Sequence, residues 1–420
     1  MAEFIYKDSF SYLTNICLNL TDACNYHCRY CFVAQQPHYM TYEVAKSAVD
    51  FIVKNLQKQK EFDPNASDRG NITFFGGEPT LMWNSIIIPV TNYIKENHFN
   101  ISLNMTTNGS LLNEERIKFL KDNEISILLS MDGDRETQTY NRPSADGRDS
   151  FDLTSKNIPA LLEAFPNTTF RATIYAPTAH HTFENYLYAM NQGFKNIYLL
   201  PDSRHPWTDQ EKENLHQELN KIYSCLSYCF SNNINPPMNF RLINRAFENI
   251  LKHDVAVVRG TIGDRVKERP ITRCGLGTTL GSIGYDGNIY GCQEQTSQNT
   301  NSIFYIGNIF NGGIDRELHS KLLKDFHTPT ATKCVNEKLC ENCPLSDMCF
   351  DYCCPSTSYD VFGSFFIDSE IHCLWNRWMF ENSIILMDKY TKENNQTFKN
   401  YLDNQCNFKK YFPEGGETNV

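Results

Sequence analysis

No apolar run in this sequence is long enough to cross a bilayer. The longest, such as SIILM ending at Met387, fall far short of the roughly 20 residues a spanning helix needs. The opening stretch, MAEFIYKDSFSYLTN, shows no basic segment followed by an apolar one, so no secretion signal is expected. These two absences predict a cytoplasmic protein with no membrane partner. Positive charge is also short. The net charge is −10, and nothing in the sequence calls for a basic face, so no nucleic-acid partner is expected. There is no internal repeat and no low-complexity tract. The 420 residues, 41% hydrophobic and 21% charged, have the balance of an ordinary globular chain.

Cysteine is what the sequence has in abundance. A reducing cytosol leaves little room for disulfides among sixteen of them. Cys17, Cys225, Cys229 and Cys406 stand in apolar or helical surroundings and read as small buried hydrophobes. The other twelve are clustered. Cys24, Cys28 and Cys31 lie within TDACNYHCRYCF, and the rest fall between Cys274 and Cys373.

The first 200 residues alternate between short β-branched runs and amphipathic helical patterns. Strands are expected near 15–21, 72–76, 101–107, 125–132, 169–176 and 196–201. Helical patterns separate them, with Thr41 and Asn113 placed as caps. Six β/α units predict a parallel sheet flanked by helices, too few for an eight-stranded barrel and suited to an open, partial one. In such arrays the chemistry sits at the carboxyl ends of the strands. The three-cysteine cluster follows the first expected strand, GGEP the second, TTNG the third and SMDG the fourth. From about 207 to 255 the pattern is helical. The stretch 274–375 is short-turned and cysteine-dense, of the kind often held by metal.

Three thiolates in one loop leave a tetrahedral zinc site one ligand short, unless His27 or His38 completes it. They suit a cubane iron–sulfur cluster whose fourth iron stays open.

CNYHCRYC, with GGEP, TNG and SMDG in that order behind it, resembles the radical S-adenosylmethionine (SAM) superfamily. The resemblance implies that Cys24, Cys28 and Cys31 hold a [4Fe-4S] cluster whose open iron chelates SAM. It further implies that Gly76, Gly77, Glu78 and Pro79 border the methionine amino group and that the backbone of Tyr30 meets the adenine. Asn108, Ser130 and Asp132 would line SAM, with Arg171 as partner of its carboxylate. The reaction implied is one-electron cleavage of SAM followed by hydrogen abstraction from an unactivated carbon, with an electron donor such as flavodoxin or ferredoxin.

The later cysteines, in CGLGTTLGSIGYDGNIYGC and CENCPLSDMCFDYC with Cys373 beyond, resemble the SPASM extension of such enzymes. That resemblance implies two auxiliary [4Fe-4S] clusters, three clusters in all. One would use Cys340, Cys343, Cys349 and Cys373. The other would use Cys274, Cys292 and Cys353, with its fourth position open or filled by Cys334 or Cys354. A two-site zinc knuckle is the alternative for this region. The domain expectation is an α/β partial (β/α)6 barrel over 1–230, a helical bridge over 231–273, the SPASM region over 274–375 and a terminal helix and tail over 376–420.

Two departures from the anaerobic sulfatase maturases stand out. Their extra cysteine falls where this chain has Leu280, and their aspartate base falls where it has Gln293, with Glu294 next. Glutamine cannot take a proton at neutral pH. The chain is therefore expected to be a radical SAM peptide maturase. It would act on a ribosomally made precursor and form an intramolecular crosslink, a Cys thioether being one such product. Formylglycine formation and carbon–carbon or carbon–oxygen crosslinking are the alternatives. Cys24 lies so near the start that no leader-binding domain is expected before it. Leader recognition would be intrinsic, supplied by a separate protein, or absent. The sequence does not identify a catalytic base.

Overall fold

The structure is a computed structural model that describes residues 12–258, 274–296, 300–326, 345, 354–365 and 367–406. Among the described residues the strands are β1 (Asn15–Asn19), β2 (Gly70–Phe75), β3 (Ile101–Thr107), β4 (Ser126–Ser130), β5 (Thr169–Ile174), β6 (Asn196–Pro201), β7 (Asn239–Phe240), β8 (Gly281–Ile283), β9 (Asn288–Tyr290), β10 (Tyr305–Asn308) and β11 (Gly313–Ile314). A helix lies between each consecutive pair from β1 to β6. The alternation read from the sequence is therefore present, and the fold is α/β with an open sheet.

The chain divides into two compact units. The first comprises 1–131, 138–168 and 272–331; the second comprises 132–137, 169–271 and 332–420.

In the first unit the strand order is β11-β10-β9-β8-β1-β2-β3-β4. Strands β1 to β4 run parallel, in a register that sets Asn15 beside Asn71 and Ile72 beside Leu103. β8 lies parallel to β1 on its free side, and β8 to β11 form an antiparallel meander. So the hairpin between Cys274 and Cys292 widens the same sheet that carries the first cysteine loop.

The period-two pattern of these strands has a consequence for the site. Ile16, Leu18, Ile72, Phe74, Leu103, Met105 and Leu129 are buried. The alternate positions of β1, β2 and β3 hold a polar ladder. Asn71 Nδ2 donates to Asn15 Oδ1 (2.7 Å), and Ser102 Oγ donates to Asn71 Oδ1 (3.0 Å). Parallel strands sandwiched between apolar layers read as continuous apolar runs; here one face is polar instead.

Local signals account for the helices. The helix Tyr42–Phe62 starts where Thr41 accepts the N–H of Val44, and it buries Ala45, Ala48, Val49, Ile52 and Leu56 at helical spacing. Asn113 caps Glu114–Asp122 by accepting from Arg116 N–H. The helical pattern SIIIPVTNYIKENH, which the sequence places between the second and third expected strands, changes in form. The stretch from Ser85 to His98 is not one regular helix. A 3₁₀ turn (Pro79–Met82) and a π turn (Trp83–Ile87) precede the α-helix Ile88–Glu96. Pro89 explains this, because it lacks an N–H and fits only the first turn of an α-helix.

In the second unit β5, β6 and β7 are parallel. The long helices Asp209–Ser231 and Glu370–Lys392 are joined by Tyr223, whose hydroxyl donates to Met379 O and shares a hydrogen bond with Ser383 Oγ. No helix among the described residues is long and apolar enough to cross a membrane.

Candidate functional site

The cysteine loop leaves the carboxyl end of β1. Its anchor is Tyr26, which is wholly buried. The Tyr26 hydroxyl donates to Ser150 O (3.0 Å) and shares a 2.9 Å hydrogen bond with Thr154 Oγ1. Burial pushes its phenol up to about 12. A strap, Tyr140–Ala145, runs beside the loop. Arg29 N–H donates to Asn141 O, His27 N–H to Pro143 O, and Ala145 N–H to Asn25 O, all within 2.8–2.9 Å. Arg29 Nε reaches Tyr140 O at 2.8 Å. The loop is thus held from residues 25 to 29 by a neighbour more than a hundred residues away in sequence.

Cys24 and Cys28 are half-buried and Cys31 is exposed. Cys31 N–H donates to Cys28 O (3.0 Å), which turns the loop between them. Two of the sulfurs receive N–H donors. Tyr26 N–H lies 3.4 Å from Cys24 Sγ, Asn108 Nδ2 4.0 Å from the same atom, and Arg142 Nη1 3.9 Å from Cys28 Sγ. Burial pushes the Cys24 thiol well up, and the negative charges of Glu78, Cys28 and Cys31 push the same way. Such thiols become thiolates when a cationic centre offsets the charge, and thiolate is the ligating form. Three soft sulfurs in one loop, with N–H donors already aimed at two of them, fit an iron–sulfur cluster.

Zinc would need a fourth ligand beside the three cysteines. Among the described residues no three His, Cys, Asp or Glu side chains are grouped as one bound ion requires. A cubane spaces its ligands more widely than a single ion does. His38, one of the two histidines that could complete a zinc site, is engaged elsewhere. Its Nδ1 is 3.0 Å from Asp22 Oδ2, and its ring stacks on Tyr285 at 4.4 Å.

The turn after β2 is built against this loop. Gly77 N–H donates to Thr21 O (2.8 Å) and Glu78 N–H to Ala23 O (3.0 Å). The approach leaves no room for side chains. A Cβ on Gly77 would lie 2.2 Å from Ala23 O, and one on Gly76, at φ +133°, would lie 2.4 Å from Thr21 O. The glycines that the sequence pairs in GGEP are therefore required by contact with the cysteine loop. Pro79 is buried at the start of the 3₁₀ turn that Glu78 caps.

Glu78 is 1% exposed. Its Oε1 accepts from Thr80 N–H, Thr80 Oγ1 and Thr107 Oγ1, and its Oε2 accepts from Asn108 N–H. The carboxylate thus joins the ends of β2 and β3 inside the protein. Asn108 continues the network. Its Nδ2 donates to Asn25 Oδ1 (2.9 Å), and its Oδ1 accepts from Ser110 N–H and Ser110 Oγ. Tyr30 is half-buried, with the Arg142 guanidinium 5.4 Å from its ring centroid. Ser130 ends β4 half-buried.

The first unit therefore brings together Cys24, Cys28, Cys31, Gly76, Gly77, Glu78, Pro79 and Asn108. Asp132 and Arg171 belong to the second unit. Asp132 is buried and accepts Thr173 N–H through Oδ1 (3.0 Å). Arg171, on β5, donates to Ala172 O (2.6 Å) and stands 5.1 Å from the Tyr198 ring centroid.

In the later cysteine region Gly277 N–H donates to Gly291 O (2.9 Å). This lays the segment after Cys274 along the residue before Cys292. Burial raises the Cys274 thiol, the N–H of Leu276 lowers it, and Glu294 raises it. Cys292 is buried, and its thiol donates to Gln293 Oε1 at 3.8 Å. Leu280 is half-buried and bridges to Leu276. In the second unit the Cys373 thiol lies 3.6 Å from Asp368 Oδ2, an oxygen that also meets His372 Nδ1 at 2.7 Å. Cys354 is half-buried before the helix Pro355–Phe362. Cys334, Cys340, Cys343, Cys349 and Cys353 lie outside the described residues.

The residues that sequence reasoning missed are Asn25, Tyr26, Arg142 and Thr154. Tyr26 stands within the cysteine motif and could have been singled out as its anchor. Arg142 and Thr154 gave no signal, because only the fold brings them to the loop.

Residues 18–187 match the family model of the Radical SAM superfamily. The Radical SAM domain that residues 18–187 match is that of an enzyme superfamily. Within that class it is similar to the radical SAM cyclopropyl synthase TigE of Paramaledivibacter caminithermalis, at 26% identity over 230 residues, covering 52% of this chain and 47% of that protein. It is likewise similar to the cysteine-type anaerobic sulfatase-maturating enzyme of Clostridium novyi, at 26% over 215 residues, covering 48% of this chain and 56% of that protein. The chain spans about half the length of the curated relatives it matches. Among solved structures, native anSMEcpe with bound AdoMet and Cp18Cys peptide superposes with TM-score 0.67 at 18% identity, over 90% of this chain and 99% of that one. Streptococcus suis SuiB bound to precursor peptide SuiA gives TM-score 0.54 at 14% identity, over 86% and 76%. At these identities the superpositions establish the shared fold.

Proposed function

We propose that this protein is a radical SAM maturase that modifies a ribosomally made peptide by forming a bond within it. The observation that supports this is the hydrogen-bonded joining of the cysteine loop to the Gly76–Glu78 turn, which keeps the proposed cluster ligands beside the turn proposed to border SAM. With cluster and SAM bound, the group supplies one-electron cleavage of SAM and hydrogen abstraction from an unactivated C–H bond. The chain's own residues orient that group. Cys24, Cys28 and Cys31 would hold the iron. The Gly76–Pro79 turn would border the methionine end of SAM, near Tyr30, Asn108 and Ser130, with Asp132 and Arg171 as further candidates.

A peptide substrate is supported by the peptides in the anSMEcpe and SuiB complexes. Against formylglycine formation stands Gln293, whose amide beside Cys292 cannot act as a base. The product remains a crosslink, with a Cys thioether as one form. Similarity to a cyclopropyl synthase favours carbon–carbon bond formation as the second reading. Two auxiliary clusters on the later cysteines, and a flavodoxin or ferredoxin as donor, complete the proposal.

The test is incubation of the anaerobically reconstituted protein with SAM, reductant and synthetic peptides encoded by short reading frames beside its gene. A peptide that loses a pair of hydrogens and does not react with an aldehyde probe is the expected result. An aldehyde-positive product would make the protein a formylglycine-forming enzyme. SAM cleavage with no change in any of these peptides would count against the proposal.

A further inference from the structure

We infer that Arg142 is a positioning residue that sets the reduction potential of the cluster held by Cys24, Cys28 and Cys31. The inference rests on the cluster reading above and concerns a residue that no sequence motif marked. Arg142 is 7% exposed. It sits on the Tyr140–Ala145 strap, whose hydrogen bonds to residues 25–29 hold the two backbones together. Its Nη1 donates toward Cys28 Sγ at 3.9 Å, and its guanidinium lies 5.4 Å from the ring centroid of Tyr30. The aromatic face steadies the cation, and the strap fixes where its backbone starts. The donor therefore meets Cys28 in a defined orientation.

Hydrogen bonds and charge at ligating sulfurs are among the main determinants of iron–sulfur potentials. Adding an electron makes the cluster more negative. A full positive charge at the sulfur stabilises that reduced state, and burial keeps solvent from screening the effect. Arg142 should thus make the cluster easier to reduce. Arginine suits the task better than lysine, since its planar fork stays charged and can stack and donate at once.

The test is an EPR-monitored redox titration of the full chain, reconstituted anaerobically, following the signal that changes when SAM is added. Arg142→Met should lower the ratio of reduced to oxidised cluster about tenfold at a fixed potential, a shift of about 59 mV to more negative values for one electron. Arg142→Lys, which keeps the charge, should fall between the wild type and Arg142→Met. A midpoint in Arg142→Met equal to that of the wild type, with iron content unchanged, would overturn the inference. If Arg142→Met does not hold iron, Arg142→Lys and Arg142→Gln decide. A more positive midpoint in Lys than in Gln supports the inference, and equal midpoints overturn it. Absence of any SAM-sensitive signal in the wild type would instead sink the cluster reading.

Discussion

Gly77→Ala is expected to destabilise the protein by about 3 kcal/mol and to cut SAM cleavage at least about a hundredfold. A Cβ at this position would lie 2.2 Å from Ala23 O and 2.7 Å from Ala23 C. Both are backbone atoms, so no side chain can rotate aside. The turn or the cysteine loop must move by most of an ångström, which breaks the paired hydrogen bonds Gly77 N–H to Thr21 O and Glu78 N–H to Ala23 O. Displacement on that scale at a site that orients reactants is costly. Gly147 serves as the control. Its φ is +79°, and nothing lies within 4 Å of its Cβ position, so an added methyl there meets no neighbour. Gly147→Ala should leave SAM cleavage close to wild type. Thermal melts and 5′-deoxyadenosine production check both variants.

Glu78→Ala is the second large effect, at about 3 kcal/mol, because it strands buried donors on Thr80, Thr107 and Asn108. The pH dependence has a definite sign. Burial raises the folded-state pKa of Glu78 above its ordinary 4.5, outweighing the hydrogen bonds from Thr80, Asn108 and Thr107, which pull it down. A carboxyl group raised in the folded state binds its proton more tightly there than in the unfolded chain. Its stabilising contribution is therefore full below the ordinary glutamate range and is lost as pH rises through the folded-state value. Glu78→Gln removes this titration. The difference in melting temperature, Gln variant minus wild type, should grow in the variant's favour as pH rises from acid to neutral. A difference that stays flat or falls would show that the carboxylate is not raised.

Much of the site could be read before any coordinates. The three-cysteine spacing, the glycine pair and the order of loops after successive strands pointed to the same rim, because period-two and helical patterns show in a single chain. The roles of particular residues were less legible. Glu78 lies in the motif proposed to border SAM, yet its carboxylate faces Thr80, Thr107 and Asn108. That follows from how β2 and β3 pair, and local sequence does not encode it. Arg142 and Tyr26 depend on the strap and on Thr154, contacts of long sequence separation. The break in the helix after Pro79 was legible in principle from Pro89, but apolar periodicity across it concealed the change in winding. The attachment of β8 to β1 could not be foreseen, since strands of three residues give almost no pattern.

The most direct test of the central claim is the iron and acid-labile sulfide content of anaerobically purified protein, measured for the wild type and for the triple variant Cys24→Ala, Cys28→Ala, Cys31→Ala. The account predicts about twelve irons per chain in the wild type and about eight in the variant, with sulfide falling in step and SAM cleavage lost. Iron and sulfide unchanged by the triple substitution, or zinc bound without sulfide, would contradict it.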